Sequence, residues 1–396
     1  MTGVLITLAV LVAGATACSN GAGKGSAPQA TRSVNAPHQG LWVNGNALMA
    51  AGQPIQLAGV NRSGTEYSCI QGFGIFDGPA DVASVQAISS WHANVVRIPL
   101  NEDCWLGING VAEAYGGVNY QRAIQQFVEL LHENGMYAEL SLMWGAPGTY
   151  RATYQPNAPD ADHSPTFWSS LAAVFATDAN VILSPWGETT VGWACFRDGC
   201  RDQATYGPAN ATYQTAGMQQ AVTVMRSAGY GGVISIPCIS YANRCANYND
   251  GSWLQYQASD PKHQLIAETH VYGKNACADR SCLDTDIAPI AARVPLIFGE
   301  TGETYDGSEC SSSHIQELLG WADAQRPRVS YAAWTWNTWG NCSALISNYQ
   351  GEPNKTAPAG AQYGQYVRDH LAGMPAQPRP SSNAARPSSN SPKPPP

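Results

Sequence analysis

The chain has 396 residues, a formal net charge of −8 and only 13% charged residues. No Lys/Arg cluster stands in its central part, which argues against nucleic acid as a partner. The aromatic set is skewed, with 12 Trp and 18 Tyr against 7 Phe; flat faces with a polar edge suit sugar rings, although core filling accounts for some of them.

Residues 1–18 are apolar and small and end in Ala15-Thr16-Ala17-Cys18, a pattern similar to a bacterial lipoprotein signal without a basic residue before Lys24. The expectation is export, with Cys18 as the lipidated residue and a membrane anchor; an ordinary secretory signal is the alternative with the same destination, extracellular or cell-surface. Residues 19–37 read as a flexible tether and the Pro/Ser-rich 374–396 as a disordered tail. That leaves 38–373 as one folded domain.

The domain opens with a β-hairpin signal, Asn44-Gly45, within 41–61. Eight apolar runs then read as strands: 55–61, 93–100, 136–144, 180–188, 231–240, 264–272, 294–300 and 329–337. Helical patterns fall near 80–92, 120–134, 165–178, 212–228, 284–293, 312–325 and 359–371, with a poorly marked one within 251–260. In 120–134, Ile124, Phe127, Val128, Leu130 and Leu131 form one face, Asn119 is a candidate N-cap and Gly135 a stop. Continuously apolar strands separated by helices predict a parallel sheet, and eight such units predict a (β/α)8 barrel. An open doubly wound sheet is the alternative, but no Gly-rich phosphate loop follows the first strand.

Of 11 cysteines, setting Cys18 aside leaves ten, an even number that fits disulfides in an oxidising compartment better than a metal site, since no CxxC pair is present. Nine follow strand ends and Cys238 lies at the end of its strand, so all ten fall at the C-terminal rim. Spacing does not determine connectivity; the economical pairing is Cys69–Cys104, Cys195–Cys200, Cys238–Cys245, Cys277–Cys282 and Cys310–Cys342.

Active sites of barrels lie at that same rim. Glu188 and Glu300 each end an apolar run, and two carboxylates facing each other are the minimal equipment for cutting a glycosidic bond. Other strand ends add Arg97, His270, Tyr272, Trp334 and Trp336. Each alone has a bland alternative in packing or ion pairing. Burying the charged ones together costs free energy unless they pair with one another.

The segments QLAGVN (56–61), NVVRIPL (94–100), HVY (270–272), IFGE (297–300) and WTWN (334–337), in this order, resemble strands of glycoside hydrolase family 5, the cellulase family of retaining barrel enzymes. The resemblance implies Glu300 as nucleophile and Glu188 as acid/base. It implies that Arg97 and Tyr272 orient Glu300, that His270 bonds into the carboxylate pair, and that Trp334 stacks under a sugar. Trp336, Trp144 and Asn337 complete the expected binding or supporting set, and Trp186 would help keep Glu188 protonated if it faced the site. Two positions depart from the family pattern. Gly187 stands where Asn usually precedes the acid/base, and Met143-Trp144 where a His is common. Asn337 or Glu303 would then supply the missing polar contact. Glu303 lies beyond Gly302 in the loop, so Glu300 is the preferred nucleophile.

The expectation is therefore a monomeric, retaining endo-β-glycosidase acting on a β-1,4-glucan or β-mannan polysaccharide without cofactor or metal. A carbohydrate-binding protein on the same scaffold, favoured by the loss of Asn at 187, and a metal-dependent barrel hydrolase are the competing readings.

Overall fold

Eight parallel strands close into a barrel in a computed structural model, which describes residues 40–203, 212–355 and 362–380. The expected signal and tether, with Cys18, and the tail beyond 380 lie outside the described residues. The barrel strands are β1 Ala58–Asn61, β2 Val95–Asn101, β3 Tyr137–Trp144, β4 Val181–Ser184, β5 Ile234–Pro237, β6 Leu265–Tyr272, β7 Leu296–Gly302 and β8 Ser330–Ala333. Each pairs in parallel with the next, and β8 returns to β1. Every predicted strand is present, and the (β/α)8 architecture holds. Several strands are shorter than their apolar runs: β4 stops four residues before Glu188, and β8 stops before Trp334.

The strands alternate between two cores. Outward residues such as Val96, Ile98, Leu100, Ala138, Leu140 and Leu142 pack under the surrounding helices. Inward residues at the N-terminal end, Val95, Tyr137, Ile182, Val233, Ile266 and Ile297, form a separate apolar floor with Leu57. The hairpin of Leu41–Asn44 and Ala47–Ala50 closes this floor with Leu41, Leu48 and Ala50. Its two-residue turn is Gly45-Asn46, one position beyond the expected pair, and Gly45 takes the positive φ of 60° that the turn needs.

Helix Val118–Glu133 buries Tyr120, Ile124, Phe127, Val128 and Leu131, each apolar side chain contributing roughly 1.5–3 kcal/mol. Asn119 is not its N-cap. The chain enters through Gly117, at φ 59° and ψ −133°, and Asn119 reaches back to the Glu113 carbonyl at 2.9 Å. Gly135, at φ 77°, ends the element as expected. The helix expected over 212–228 begins only at Met218, because Thr212–Gln214 pairs with Arg201–Gln203 instead. Residues 374–380, expected to be free tail, lie against the barrel: Tyr331 Oη meets Met374 Sδ at 3.0 Å, and Gln377 accepts from the Gln56 N–H at 3.2 Å.

The disulfides are Cys69–Cys104, Cys195–Cys200, Cys238–Cys245, Cys277–Cys282 and Cys310–Cys342. Two join neighbouring loops and three close short segments, all above the C-terminal ends of the strands.

Gly59 is the tightest point of the barrel wall. A Cβ there would stand 1.8 Å from the Val95 carbonyl oxygen, which cannot retreat without breaking the β1–β2 register. Gly59→Ala is expected to cost about 3 kcal/mol or more, at the upper end of overpacking, read as a lowered urea midpoint with an unchanged slope.

Candidate active site

Period two carries each strand from the apolar floor to a polar layer. Going up the barrel, β2 offers Val95 then Arg97, β3 Tyr137 then Glu139 and Ser141, β4 Ile182 then Ser184, β5 Val233 then Ser235, and β6 Ile266 then Glu268, His270 and Tyr272. All of these polar residues are buried. Glu300 enters by another route. Thr269 pairs with Phe298, but His270 pairs with Glu300, so Gly299 is an extra residue in β7. Strict alternation from Ile297 would turn Glu300 outward; this bulge turns it in. The residue at the bulge must be glycine, since a Cβ there would lie 2.1 Å from Glu268 Oε1.

Arg97 is the hub. Its Nη1 bonds Glu300 Oε1 at 2.8 Å and Asn61 Oδ1 at 3.0 Å; its Nη2 meets Glu268 Oε1 at 3.1 Å and Ser141 Oγ at 3.0 Å. Tyr272 Oη donates to Glu300 Oε2 at 2.9 Å. His270 lies between carboxylates: Nδ1 is 2.9 Å from Glu188 Oε1 and 3.7 Å from Glu300 Oε2, and Nε2 is 3.1 Å from Glu268 Oε1. Glu268 also accepts from Ser184 and Ser235 at 2.9 and 3.0 Å.

The charges are arranged unequally. Burial disfavours a charged His270, but Glu300, Glu188 and Glu268 outweigh it and push the ring up to about 10, so it is an imidazolium at neutral pH. Burial also opposes ionisation of Glu268, yet Arg97 and then His270 hold it below the usual carboxylate range. Burial raises Glu188, with the Glu300 charge adding to it against the pull of His270 and Arg97. Burial, helped by Glu268, pushes Glu139 up to about 8, and neither of its oxygens has a well-formed hydrogen bond. One oxygen of Glu188, one of Glu300 and a ring nitrogen of His270 lie within 4.8 Å of one another. Nδ1 and Nε2 of His270 are both engaged by carboxylates here, Nδ1 by Glu188 at 2.9 Å and Nε2 by Glu268 at 3.1 Å.

The remaining expected residues divide. Trp144 and Trp334 stand at the rim, in a run of rings with two residues not anticipated: Trp144–Tyr67 at 6.2 Å, Tyr67–Trp339 at 6.3 Å and Trp339–Trp334 at 6.2 Å. Trp336, expected in the binding or supporting set, is a core residue, fully buried and packed edge-on against Trp91 at 4.8 Å. Beyond Ala333 the chain has left the strand, which reverses the expected alternation. Asn337 is buried and donates to Asp77, not to the carboxylate pair. Glu303 accepts from Ser311 and Ser313 and from the N–H groups of His314 and Ile315 at the start of helix Ser313–Ala324, contacts that hold it low despite burial. It caps a helix and does not reach the site. Trp186 is buried, and its Nε1 donates to the Glu188 carbonyl at 2.7 Å, so it fixes the backbone of Glu188 rather than shielding its carboxyl.

Glu268, Glu139, Asn61, Ser141, Ser184, Tyr67 and Trp339 belong to the site and were not singled out from the sequence. Counting back two from His270 would have found Glu268; the loop residues Tyr67 and Trp339 carry no periodic signal.

The family model described as cellulase, glycosyl hydrolase family 5, matches residues 48–340. Among solved structures, the catalytic domain of Thermobifida fusca endoglucanase Cel5A is similar at a TM-score of 0.60 and 17% identity, covering 84% of this chain and 97% of that one. Cellulase Cel5C_n gives 0.63 at 17% identity over 88% and 97%. The β-glucanase SdGluc5_26A from Saccharophagus degradans gives 0.60 at 14% identity over 85% and 94%. No curated protein matches the chain.

Proton linkage sets a pH dependence of stability. Glu66, raised to about 8 by burial, and Glu139, raised to about 8, bind protons in the folded state that the unfolded chain has released above about 4.5; His270, raised to about 10, does so above about 6.5. Folding therefore binds protons, and stability falls as pH rises through these values. Glu268 and Glu303, held low, contribute stability that is lost under acid conditions. Thermal unfolding across pH should show a maximum near pH 4.5 and a continuous decline toward pH 10.

Proposed function

The chain belongs to the cellulase family, glycosyl hydrolase family 5, and on that premise we propose that it cleaves a β-1,4-linked glucan internally, by double displacement with retention of configuration. The observation that carries the mechanism is the approach of the Glu188 and Glu300 carboxyl oxygens to within 4.8 Å. Retaining enzymes hold their carboxyl groups at ~5–5.5 Å, whereas inverting enzymes need ~6.5–9.5 Å to admit a water between them.

Glu300 is the nucleophile. Arg97 and Tyr272 each hold one of its oxygens, which keeps the carboxylate oriented for attack on the anomeric carbon. In the first step a C–O bond forms to Glu300 while the glycosidic C–O bond breaks, and the leaving oxygen takes the proton of Glu188. In the second, water attacks the same carbon, Glu188 takes a proton from it, and the Glu300 ester bond breaks. Glu188 must hold a proton near neutral pH for the first step, and its burial supports that. Its edge position, with 18% of the side chain accessible against 5% for Glu300, suits the residue that exchanges protons with water and leaving group.

For the substrate, support comes from the rim. Trp144, Tyr67, Trp339 and Trp334 form a run of aromatic faces of the kind sugars stack on. A β-glucanase of similar fold is described in complex with cellotetraose, which favours glucan over mannan. Export, with lipid attachment at Cys18 and a catalytic domain over 38–373, is part of the same proposal. It rests on the sequence of 1–18 and on five disulfides, which persist in oxidising compartments.

Glu300→Gln should lower kcat/KM on a soluble β-1,4-glucan by at least about a thousandfold; retained turnover would remove the nucleophile assignment. Glu188→Ala should keep most of its kcat/KM on an aryl cellobioside with an activated leaving group but lose kcat, because water loses its base in the second step; added azide should restore kcat and give the β-glycosyl azide by NMR. An α-azide would show inversion. EDTA should leave the activity unchanged.

A further inference from the structure

The two departures from the family pattern occupy the same space. A Cβ built on Gly187 would lie 2.1 Å from Met143 Sδ and 3.2 Å from the Gln155 side-chain amide nitrogen position. Met143 is itself buried, 8% exposed. The thioether therefore fills the volume into which a side chain at 187 would extend, and an asparagine there would require Met143 to move.

Gln155 stands at the edge of that volume. It comes from the loop between β3 and helix Ser164–Val174. Its loop is held on both sides: the Ala152 N–H donates to Asp103 at 2.8 Å, the Ala152 carbonyl accepts from Asn101 at 2.8 Å, and Tyr213 Oη donates to the Ala158 carbonyl at 2.9 Å. The orientation of the Gln155 amide follows from Glu188. The Glu188 backbone N–H is a donor in every protonation state and lies 2.8 Å from one end of the amide, which must be the oxygen. The amide nitrogen then faces Glu188 Oε2 at 3.2 Å and donates to it. One side chain thus grips both the backbone and the carboxyl of Glu188, while His270 holds the other oxygen.

Resting on the assignment of Glu188 as acid/base, we propose that Gln155 is its positioning residue, and that Met143, Gly187 and Gln155 are one unit that replaces the asparagine usual at 187. A hydrogen bond donated to Oε2 favours the ionised form of the carboxyl. Gln155 therefore limits how far burial raises Glu188, so that the group remains able to give its proton in the first step and take one in the second.

The test compares wild type with Gln155→Leu and Gln155→Glu in the full chain. On cellotetraose, Gln155→Leu lowers kcat/KM about tenfold or more, and the basic limb of its pH profile moves upward by about one unit. Gln155→Glu, which keeps an acceptor for the Glu188 N–H, moves the limb further up and serves if the leucine variant does not fold. On 2,4-dinitrophenyl β-cellobioside, whose leaving group needs no acid, kcat/KM changes little. Equal losses on both substrates, or an unmoved limb, overturn the proposal. NMR titration of the Glu188 carboxyl, assigned by Glu188→Gln, is expected to show the same upward shift in Gln155→Leu; no shift overturns the proposal without reference to turnover. A wild type that hydrolyses neither substrate would defeat the functional reading, while this titration still decides the role of Gln155. For the unit as a whole, Gly187→Asn is expected to lower activity and added Met143→Ala to restore part of it; purely additive losses overturn the coupling.

Discussion

A guanidinium with no exposed atom organises the interior of this barrel. Arg97 bonds Asn61 of β1, Ser141 of β3, Glu268 of β6 and Glu300 of β7, so four other strands are tied to one side chain. A charge this deep is tolerated only when its partners are equally well placed, and removing one partner from such a pair typically costs about 3–5 kcal/mol. Two cations, Arg97 and the His270 imidazolium, face Glu268 and Glu300, while burial keeps Glu139 and Glu188 raised. The two carboxyl groups at the mouth thus stand in different settings: Arg97 and Tyr272 each hold an oxygen of Glu300, while burial raises Glu188.

Much of this was legible in the sequence. Arg97, His270, Tyr272 and Glu300 stand at or near the ends of apolar runs, and although each alone has a bland alternative, burying them together costs free energy unless they pair with one another. Glu139 and Glu268 were not legible in the same way. They lie in mid-strand, where a continuous apolar run hides the inward row, and only counting by two from a known site residue exposes them. Trp336 failed for the opposite reason: it was read as part of a strand that ends at Ala333, so its direction was inferred from a periodicity that no longer applied. Nor does sequence alternation predict the inward turn of Glu300. That depends on Gly299, an extra residue whose only sign is that it is a glycine.

The rim is built differently from the interior. Its loops are long and short of apolar residues, and five disulfides hold them. Cys69–Cys104 joins the loop carrying Tyr67 to the one after β2, and Cys310–Cys342 joins the loop after β7 to the one carrying Trp339. The aromatic run is thus supported by covalent links as well as by the packing of Trp144 against the core. Each bridge also restricts the unfolded chain, more so where the closed segment is long. The two longest links, over 35 and 32 residues, are the two that flank this run.

The apolar floor has a consequence for proton traffic. Leu41, Leu48, Ala50 and Ile55 close the N-terminal end with apolar packing. Above it Arg97 and Glu268 have no accessible side-chain surface, and His270 has 1%. Glu188, with 18%, is the group through which the pair meets the solvent. On the proposed assignment of Glu188 as acid/base, the protons given and taken in turnover are exchanged at the mouth, above the buried Arg97, Glu268 and His270.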